Sequence, residues 1–346
     1  MQTQLFPWQQ AAWQALQQLR ARMPHAILLH GAAGTGKRAF ATCVAQSLLC
    51  DTPLADGLPC GACNACGWFN QYSHPDFRRV RPEILEEDGD AGEADPSGEG
   101  EGKKTAKASK APSKDIRIEQ VRALAGFMNV STHRNGNRVV LLYPAESLNT
   151  ASANALLKTL EEPPPSTVLI LVSNRIDRLL PTILSRCRKF ALPMPERADA
   201  LAWLTLQQVP DAEVWLDEQG GAPLAALVQS QAGSRAELDA FLAHLARPSR
   251  EAALAMAEKL QKTPLPDIVA WLQRWLHDVF SSKLSGTIRY YPRHARQLQA
   301  LAGQADAARL MTAIAAVANR RAIAEHPLSA RLFIEDMLLD YVQIFS

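Results

Sequence analysis

The fold is decided by residues 26–37, which read Ala-Ile-Leu-Leu-His-Gly-Ala-Ala-Gly-Thr-Gly-Lys. The first five residues are a short, mostly apolar run and predict a strand buried on both faces, as in a parallel sheet. A helical pattern follows from about Lys37 to Cys50. A buried strand, a glycine loop and a helix in this order are the context that a phosphate-binding loop requires.

The glycine loop itself has the spacing of a phosphate-binding loop, in which backbone N–H groups surround phosphate oxygens. The predicted nucleotide contacts are Gly31, Gly34, Gly36 and Lys37. The next position in such loops is Ser or Thr, whose hydroxyl holds Mg²⁺, but this chain has Arg38. We therefore expect the loop either to be inert or to bind ATP or ADP without hydrolysing it.

A second magnesium position is also altered. Residues 138–143 predict a central strand, and an ATPase would place acidic residues at its tip to hold Mg²⁺ and orient water. This chain has Tyr143 and Pro144 there, and the nearest acid, Glu146, lies beyond the predicted tip. Two independent losses in one site argue against ATP hydrolysis by this chain.

The rest of the first part of the chain alternates in the same way between apolar runs and helical patterns. The predicted strands are residues 77–80, 138–143 and 167–172, and the predicted helices are residues 5–19, 118–128 and 152–162. Strands that alternate with helices are typical of an α/β fold with a parallel sheet.

Strand patterns vanish after Pro193, and only helical patterns follow. The clearest stripe covers residues 268–279 and predicts one long amphipathic helix. We predict three domains: a nucleotide-binding-like α/β domain (1–192), a small helical lid (193–242) and an all-α domain (243–346).

Four of the six cysteines lie together after the glycine loop: Cys50, Cys60, Cys63 and Cys66. Four thiolates satisfy a tetrahedral Zn²⁺ and leave no open position, so the predicted zinc module, residues 50–66, is structural. An iron–sulfur cluster and four metal-free cysteines are the alternatives. A disulfide framework is disfavoured because no secretory signal is visible.

Composition limits the function classes. The chain has 346 residues and a net charge of +2, so a strongly basic nucleic-acid-binding face is not evident from the totals. We expect a cytoplasmic protein without a membrane partner, since no apolar run could span a bilayer and no targeting signal is visible. Residues 83–114 are highly charged and rich in Gly and Ser, which predicts a disordered surface insertion.

Two further motifs carry a resemblance to a known family. Residues 154–164 read Asn-Ala-Leu-Leu-Lys-Thr-Leu-Glu-Glu-Pro-Pro, and residues 185–187 read Ser-Arg-Cys. Together with the glycine loop and the four cysteines, they resemble the bacterial DNA polymerase III clamp-loader subunits of the AAA+ class, in the order found there. The resemblance covers most of residues 1–235 and implies an AAA+ domain, a lid and a C-terminal collar.

The departures from this family favour a subunit that is not a motor. A motor subunit of the gamma/tau type would have Thr or Ser at position 38 and acidic residues at positions 143 and 144. The segment 220–224 resembles the second sensor of the family, with Leu224 where an arginine is expected. Ser173 and Asn174 match the first-sensor position.

The resemblance implies a five-membered ring in which each ATP site takes an arginine from the adjacent chain. Arg186 is the candidate for this arginine finger, which acts in trans. The chain would be a rigid stator without ATPase activity of its own. With gamma/tau and delta subunits it would load the sliding clamp onto primer–template DNA in replication.

Two other functions remain open at this stage. One is an active motor ATPase of the gamma/tau type. The other is a zinc-dependent nucleic-acid-binding protein, for which the zinc module and the residues directly after it offer Trp68, Phe69 and Tyr72 with few cations nearby.

Overall fold

The computed structural model describes residues 5–85, 112–129, 132–133, 136–324 and 329–345. The chain divides into two compact units, Met1–Glu196 and Arg197–Ser346. Most of the predicted insertion, residues 86–111, lies outside the described residues. Within the described part, no helix is long and apolar enough to cross a membrane.

The first unit is built on a five-stranded parallel sheet in the order β2-β3-β4-β1-β5. The strands are β1 (Ala26–His30), β2 (Phe77–Val80), β3 (Arg138–Leu142), β4 (Thr167–Ser173) and β5 (Arg188–Ala191). Every residue of β3 and β4 is buried, as expected for strands with a neighbour on each side, and the central position predicted for β3 is confirmed. The four strands expected from the sequence are confirmed, and β5 is an additional edge strand.

The helices of the first unit are α1 (Gln10–Gln18), α2 (Lys37–Leu49), α3 (Asn64–Asn70), α4 (Ile118–Asn129), α5 (Thr150–Glu161) and α6 (Pro181–Arg186). Helix α5 begins two residues before the predicted start, because the Asn149 side chain accepts a hydrogen bond from Ser152 N and caps the helix. It ends before Pro163, as the sequence predicts.

Alternate residues of the strands pack on opposite faces of the sheet. Ile27 and Leu29 of β1 belong to an apolar cluster with Phe40 of α2. Leu28 belongs to a second cluster with Leu156 of α5. Because successive strand side chains point to opposite faces, both sides of the sheet are covered by helices.

The second unit is helical throughout its described residues. Its helices are α7 (Arg197–Leu206), α8 (Ala212–Glu218), α9 (Pro223–Gln231), α10 (Arg235–Leu245), α11 (Arg250–Leu260), α12 (Leu265–Ser285), α13 (Ala295–Gln304), α14 (Ala307–Ile323) and α15 (Ala330–Gln343). One apolar cluster joins α7 to α9, and a larger one includes Leu238 of α10 and continues into α15. The division into three domains at residues 192 and 242 stays a prediction.

Helix α12 is the long amphipathic helix expected from the sequence, and its stripe lies in the larger apolar cluster. Trp275 on this helix donates through Nε1 to Tyr341 Oη at 2.9 Å, and Tyr341 donates to Leu245 O at 2.6 Å. The buried carboxylate of Asp278 accepts three backbone hydrogen bonds from residues 289–291. These polar groups, which are buried beside α12, thus have hydrogen-bond partners that hold α12 against residues 289–291 and α15.

Replacing Leu276 by Ala should destabilise the second unit by roughly 2–5 kcal/mol, because the buried side chain leaves a cavity. Leu276 is 1% exposed, whereas Leu284 on the same helix is 67% exposed. Leu284→Ala is therefore the matched control and should change the free energy of unfolding by less than about 0.5 kcal/mol. Urea unfolding followed by tryptophan fluorescence measures both variants. Equal effects would contradict the packing of α12.

Candidate functional site

The glycine loop and the two altered strand ends share one edge of the sheet. All strand pairings are parallel, so the carboxyl ends of β1, β3 and β4 lie on the same side. These ends lead into Gly31, Tyr143 and Asn174, respectively. Ligands of open parallel sheets bind at this edge. The structure thus brings the predicted loop and strand-tip residues to one place.

Residues that precede α1 hold the glycine loop. Trp8 Nε1 donates to Thr35 O at 2.9 Å, and Gln9 Nε2 donates to Thr35 O and Gly36 O at 3.2 and 3.0 Å. Gly36 has a φ of +88°, and a Cβ there would lie 2.5 Å from the Phe6 ring. Only glycine fits at this position, because both the backbone conformation and the ring contact exclude a side chain.

Lys37, the predicted phosphate contact, is folded onto its own loop. Its side chain is buried, and Nζ donates to Ala32 O. Burial lowers the pKa of Lys37 to about 8, and the nearby carboxylate of Glu146 partly offsets this shift. The same carboxylate accepts a hydrogen bond from Asn174 N at 3.0 Å. Glu146 therefore turns back from the β3 end toward Lys37 and the end of β4.

The two positions that lack magnesium ligands contact each other. The guanidinium carbon of Arg38 lies 5.8 Å from the centroid of the Tyr143 ring. Tyr143 Oη accepts a hydrogen bond from Arg81 Nη1 at 3.2 Å. Two cationic side chains thus contact the residue at the strand tip where a magnesium site needs carboxylates. Their charge disfavours a divalent cation at this place.

The four predicted metal ligands, Cys50, Cys60, Cys63 and Cys66, are brought together. All four Sγ atoms lie within 4.8 Å of one another. Cys50 Sγ is 3.5 Å from Cys60 Sγ and 3.9 Å from Cys63 Sγ. In a tetrahedral zinc site with bonds of about 2.3 Å, sulfur atoms are about 3.8 Å apart. The donor set and its spacing are compatible with one zinc ion, whereas several iron and sulfide atoms need more widely spaced thiolates.

Backbone hydrogen bonds place the cysteines around a common centre. Cys50 follows the end of α2, and its Sγ accepts from Cys60 N at 3.4 Å. Cys63 caps the start of α3, and its Sγ accepts from Cys66 N at 3.4 Å. Hydrogen bonds from the Thr52 hydroxyl and from two backbone amides lower the pKa of the Cys60 thiol to about 6. This environment favours the thiolate form of Cys60, which binds metals.

Arg186, the predicted arginine finger, is the last residue of α6. Its side chain is one-third exposed, and Nη2 donates to Glu161 Oε1 at 2.5 Å. Nη1 donates to Thr182 O at 3.0 Å. The described contacts of Arg186 thus lie within α5 and α6 and not in the chain's own glycine loop. Sequence reasoning missed Glu161 as its partner, although Glu161 belongs to the motif at residues 154–164.

Comparisons with known proteins identify relatives of both units. Residues 8–196 match the family described as DNA polymerase III, delta subunit, and residues 234–343 match DNA polymerase III, delta subunit, C terminal. The delta' subunit of DNA polymerase III from Pseudomonas aeruginosa is 38% identical, over 81% of this chain and 79% of that protein. The delta' subunit from Haemophilus influenzae is 29% identical, over 82% and 79%.

Among solved structures, a protein related to the DNA polymerase III gamma subunit of Thermotoga maritima has a TM-score of 0.42 and 16% identity. The alignment covers 97% of this chain and 100% of that chain.

Replacing Lys37 by Met should stabilise the chain at pH 7. The pKa of Lys37 is lowered from 10.5 to about 8 in the folded chain, so its buried charge opposes folding below pH 10.5, with the full penalty below pH 8. Between these two values the unfolded state binds more protons, and the penalty declines as the pH rises. Allowing for solvent screening, we expect a gain of roughly 1–2 kcal/mol at pH 7 and about half of it at pH 9.5.

Urea unfolding of both proteins at the two pH values measures this difference. Lys158→Met, which removes an exposed lysine of α5, is the control and should show no gain that depends on pH. Equal stability of the wild type and Lys37→Met at pH 7 would show that the buried lysine charge carries no cost.

Proposed function

Because this chain belongs to the delta' family of DNA polymerase III clamp-loader subunits, we propose that it is the stator of a clamp loader and completes a neighbour's ATP site with Arg186. The observation that carries this proposal is the position of Arg186. Its guanidinium is partly exposed at the end of α6, and its described hydrogen bonds are to residues of α5 and α6 and not to the chain's own glycine loop.

The surroundings of Arg186 suit a group that must meet a phosphate on another chain. Ile183 and Cys187, on either side of it in the sequence, are buried in the core of the first unit and fix the backbone. A guanidinium is always charged and can give two parallel hydrogen bonds to phosphate oxygens. Arginine fingers raise the rate of phosphoryl transfer by factors on the order of 10³–10⁵.

The chain's own nucleotide loop would not hydrolyse ATP in this proposal. If ATP or ADP binds, the loop glycines Gly31, Gly34 and Gly36 with Lys37 would hold its phosphates. The contact of Arg38 with Tyr143 supports the absence of hydrolysis, because it places cationic charge where magnesium ligands are needed. The active-motor alternative lacks the ligands that it requires at both positions.

We propose that the four cysteines hold a structural Zn²⁺. The ion would link the end of α2 to the start of α3 through Cys50 and Cys63. The segment between them carries the exposed Leu54 and has few residues in the apolar cores, so it gains stability from such a link. Four thiolates leave no position for a substrate, and the ion would take no part in catalysis.

The partners follow from this role and belong to the same proposal. They are the gamma/tau and delta subunits in the ring and, through the complex, the sliding clamp and primer–template DNA. The chain would work in the cytoplasm, where replication takes place. The alternative of an independent nucleic-acid-binding protein has no basic face in the described zinc module to support it.

Replacing Arg186 by Ala should lower the kcat of the DNA- and clamp-stimulated ATPase of the reconstituted clamp loader by roughly tenfold or more. The reason is that the neighbouring ATP site loses its trans-acting positive charge. Arg186→Lys should fall between wild type and Arg186→Ala, since it keeps the charge but loses the planar fork.

Arg188→Ala is the matched control, because it removes an exposed arginine of β5 only two positions away. It should leave the kcat unchanged. Size-exclusion chromatography shows whether each variant still assembles. Full ATPase activity of an intact Arg186→Ala complex would refute the finger and leave a scaffold role.

Replacing Cys63 by Ser should reduce the metal content of the purified chain from about one zinc ion to well below one, because it removes one of four ligands. Elemental analysis of protein prepared without chelators measures the metal. Cys43→Ala is the control, since Cys43 is buried in the core and outside the cluster. Iron with acid-labile sulfide in the wild type would instead support the iron–sulfur alternative.

A further inference from the structure

The ion pair between Arg186 and Glu161 joins the ends of two helices. Glu161 is the last residue of α5, and Arg186 is the last residue of α6. Leu160 and Cys187, their immediate neighbours in the sequence, are buried in the same apolar cluster. Both charged residues therefore project from backbone that the core holds in place.

The guanidinium is already ordered on two sides. Glu161 accepts from Nη2, and the carbonyl of Thr182 accepts from Nη1. Nη1 also lies 3.4 Å from Ser185 Oγ, and the described hydrogen bonds leave the Nε–H and one hydrogen of Nη2 without an acceptor. Each of these donors can give a hydrogen bond to a phosphate oxygen. The contact with Glu161 thus orients the group and leaves part of it available.

Stability does not account for this ion pair. The two side chains are 33% and 49% exposed, and exposed ion pairs contribute little to folding. An ordered arginine, in contrast, loses less side-chain freedom when it engages phosphate in the transition state. The ion pair therefore matters more for an arginine that binds phosphate during catalysis than for the stability of the fold.

We propose that Glu161 is a positioning residue for Arg186, which holds the guanidinium ready to meet the ATP of the neighbouring subunit. The proposal rests on the trans-acting role of Arg186. Glu161 itself touches no phosphate and acts only through the arginine. Its loss lowers the rate at which the completed site turns over and leaves the affinity for ATP nearly unchanged.

The test compares variants in the reconstituted clamp loader with primed DNA, sliding clamp and ATP. Glu161→Ala is expected to lower kcat by roughly three- to tenfold, while KM for ATP stays within about twofold. Glu161→Gln is expected to retain at least about half of the wild-type kcat, because its amide oxygen still accepts from Nη2. Thermal unfolding is expected to be unchanged in both variants.

Glu162→Ala is the matched control. Glu162 is the next residue and is also exposed, but the described hydrogen bonds of Arg186 do not include it. This variant is expected to keep the wild-type kcat. A loss as large as that of Glu161→Ala would show a general effect of negative charge at the end of α5 and would overturn the positioning role.

Arg186→Ala, measured in parallel, distinguishes failure of the positioning role of Glu161 from failure of the finger role of Arg186. If Arg186→Ala is inactive and Glu161→Ala equals the wild type, the positioning role is overturned and the finger stands. If Arg186→Ala has no effect, the finger fails and the positioning role fails with it. A higher kcat in Glu161→Ala would mean that the carboxylate restrains the arginine, which also overturns the proposal.

The double variant Glu161→Ala/Arg186→Ala provides a further test. A residue that acts only through Arg186 has no effect once the arginine is absent, so the double variant is expected to match Arg186→Ala. An additional loss in the double variant would show that Glu161 acts independently of the arginine.

Discussion

The parallel pairing of β1 with its two neighbours is the constraint on which the rest of the first unit depends. His30, at the end of β1, is in register with Ser173 of β4 and with Ala191 of β5. This register places Asn174 beside the start of the glycine loop. It also brings Leu192 O so close to Gly31 that a Cβ there would lie 2.3 Å from it. A slip by one residue would exchange the two faces of β1 and destroy both apolar clusters.

The edge that this pairing creates has the backbone shape of a nucleotide-binding site. Its side chains, however, place positive charge where such a site holds a magnesium ion. Lys37 lies buried against its own loop, and Arg38 and Arg81 surround Tyr143. Phosphoryl transfer needs a divalent cation held by oxygen ligands, and positive side chains at that position oppose the binding of the cation. Under the proposed function, the group that the chain contributes to phosphoryl transfer is Arg186 on α6, which hydrogen-bonds to residues of α5 and α6 and not to this edge.

The sequence was sufficient for features that depend on local spacing. The strands β1 to β4, the glycine loop and the four-cysteine cluster were predicted because each depends on a short segment with a recognisable residue pattern or spacing. The membership of the DNA polymerase III clamp-loader family, as a relative of its delta' subunits, is confirmed by the comparisons. Strand β5 was missed because Arg188 and Lys189 give no apolar alternation, and pairing with β1 overrides that weak propensity. The Glu161–Arg186 and Arg81–Tyr143 contacts join residues 25 and 62 positions apart, which no local pattern encodes.

The contact between Arg38 and Tyr143 couples the two altered positions to each other. A change of Arg38 to Thr would restore one magnesium ligand but leave an aromatic ring at the strand tip. A change of Tyr143 to Asp would place a carboxylate beside Arg38, and the two would form an ion pair instead of holding a metal. Neither single substitution supplies both oxygen ligands that a magnesium site of this kind needs. Each of the two side chains therefore makes the replacement of the other ineffective for binding the cation.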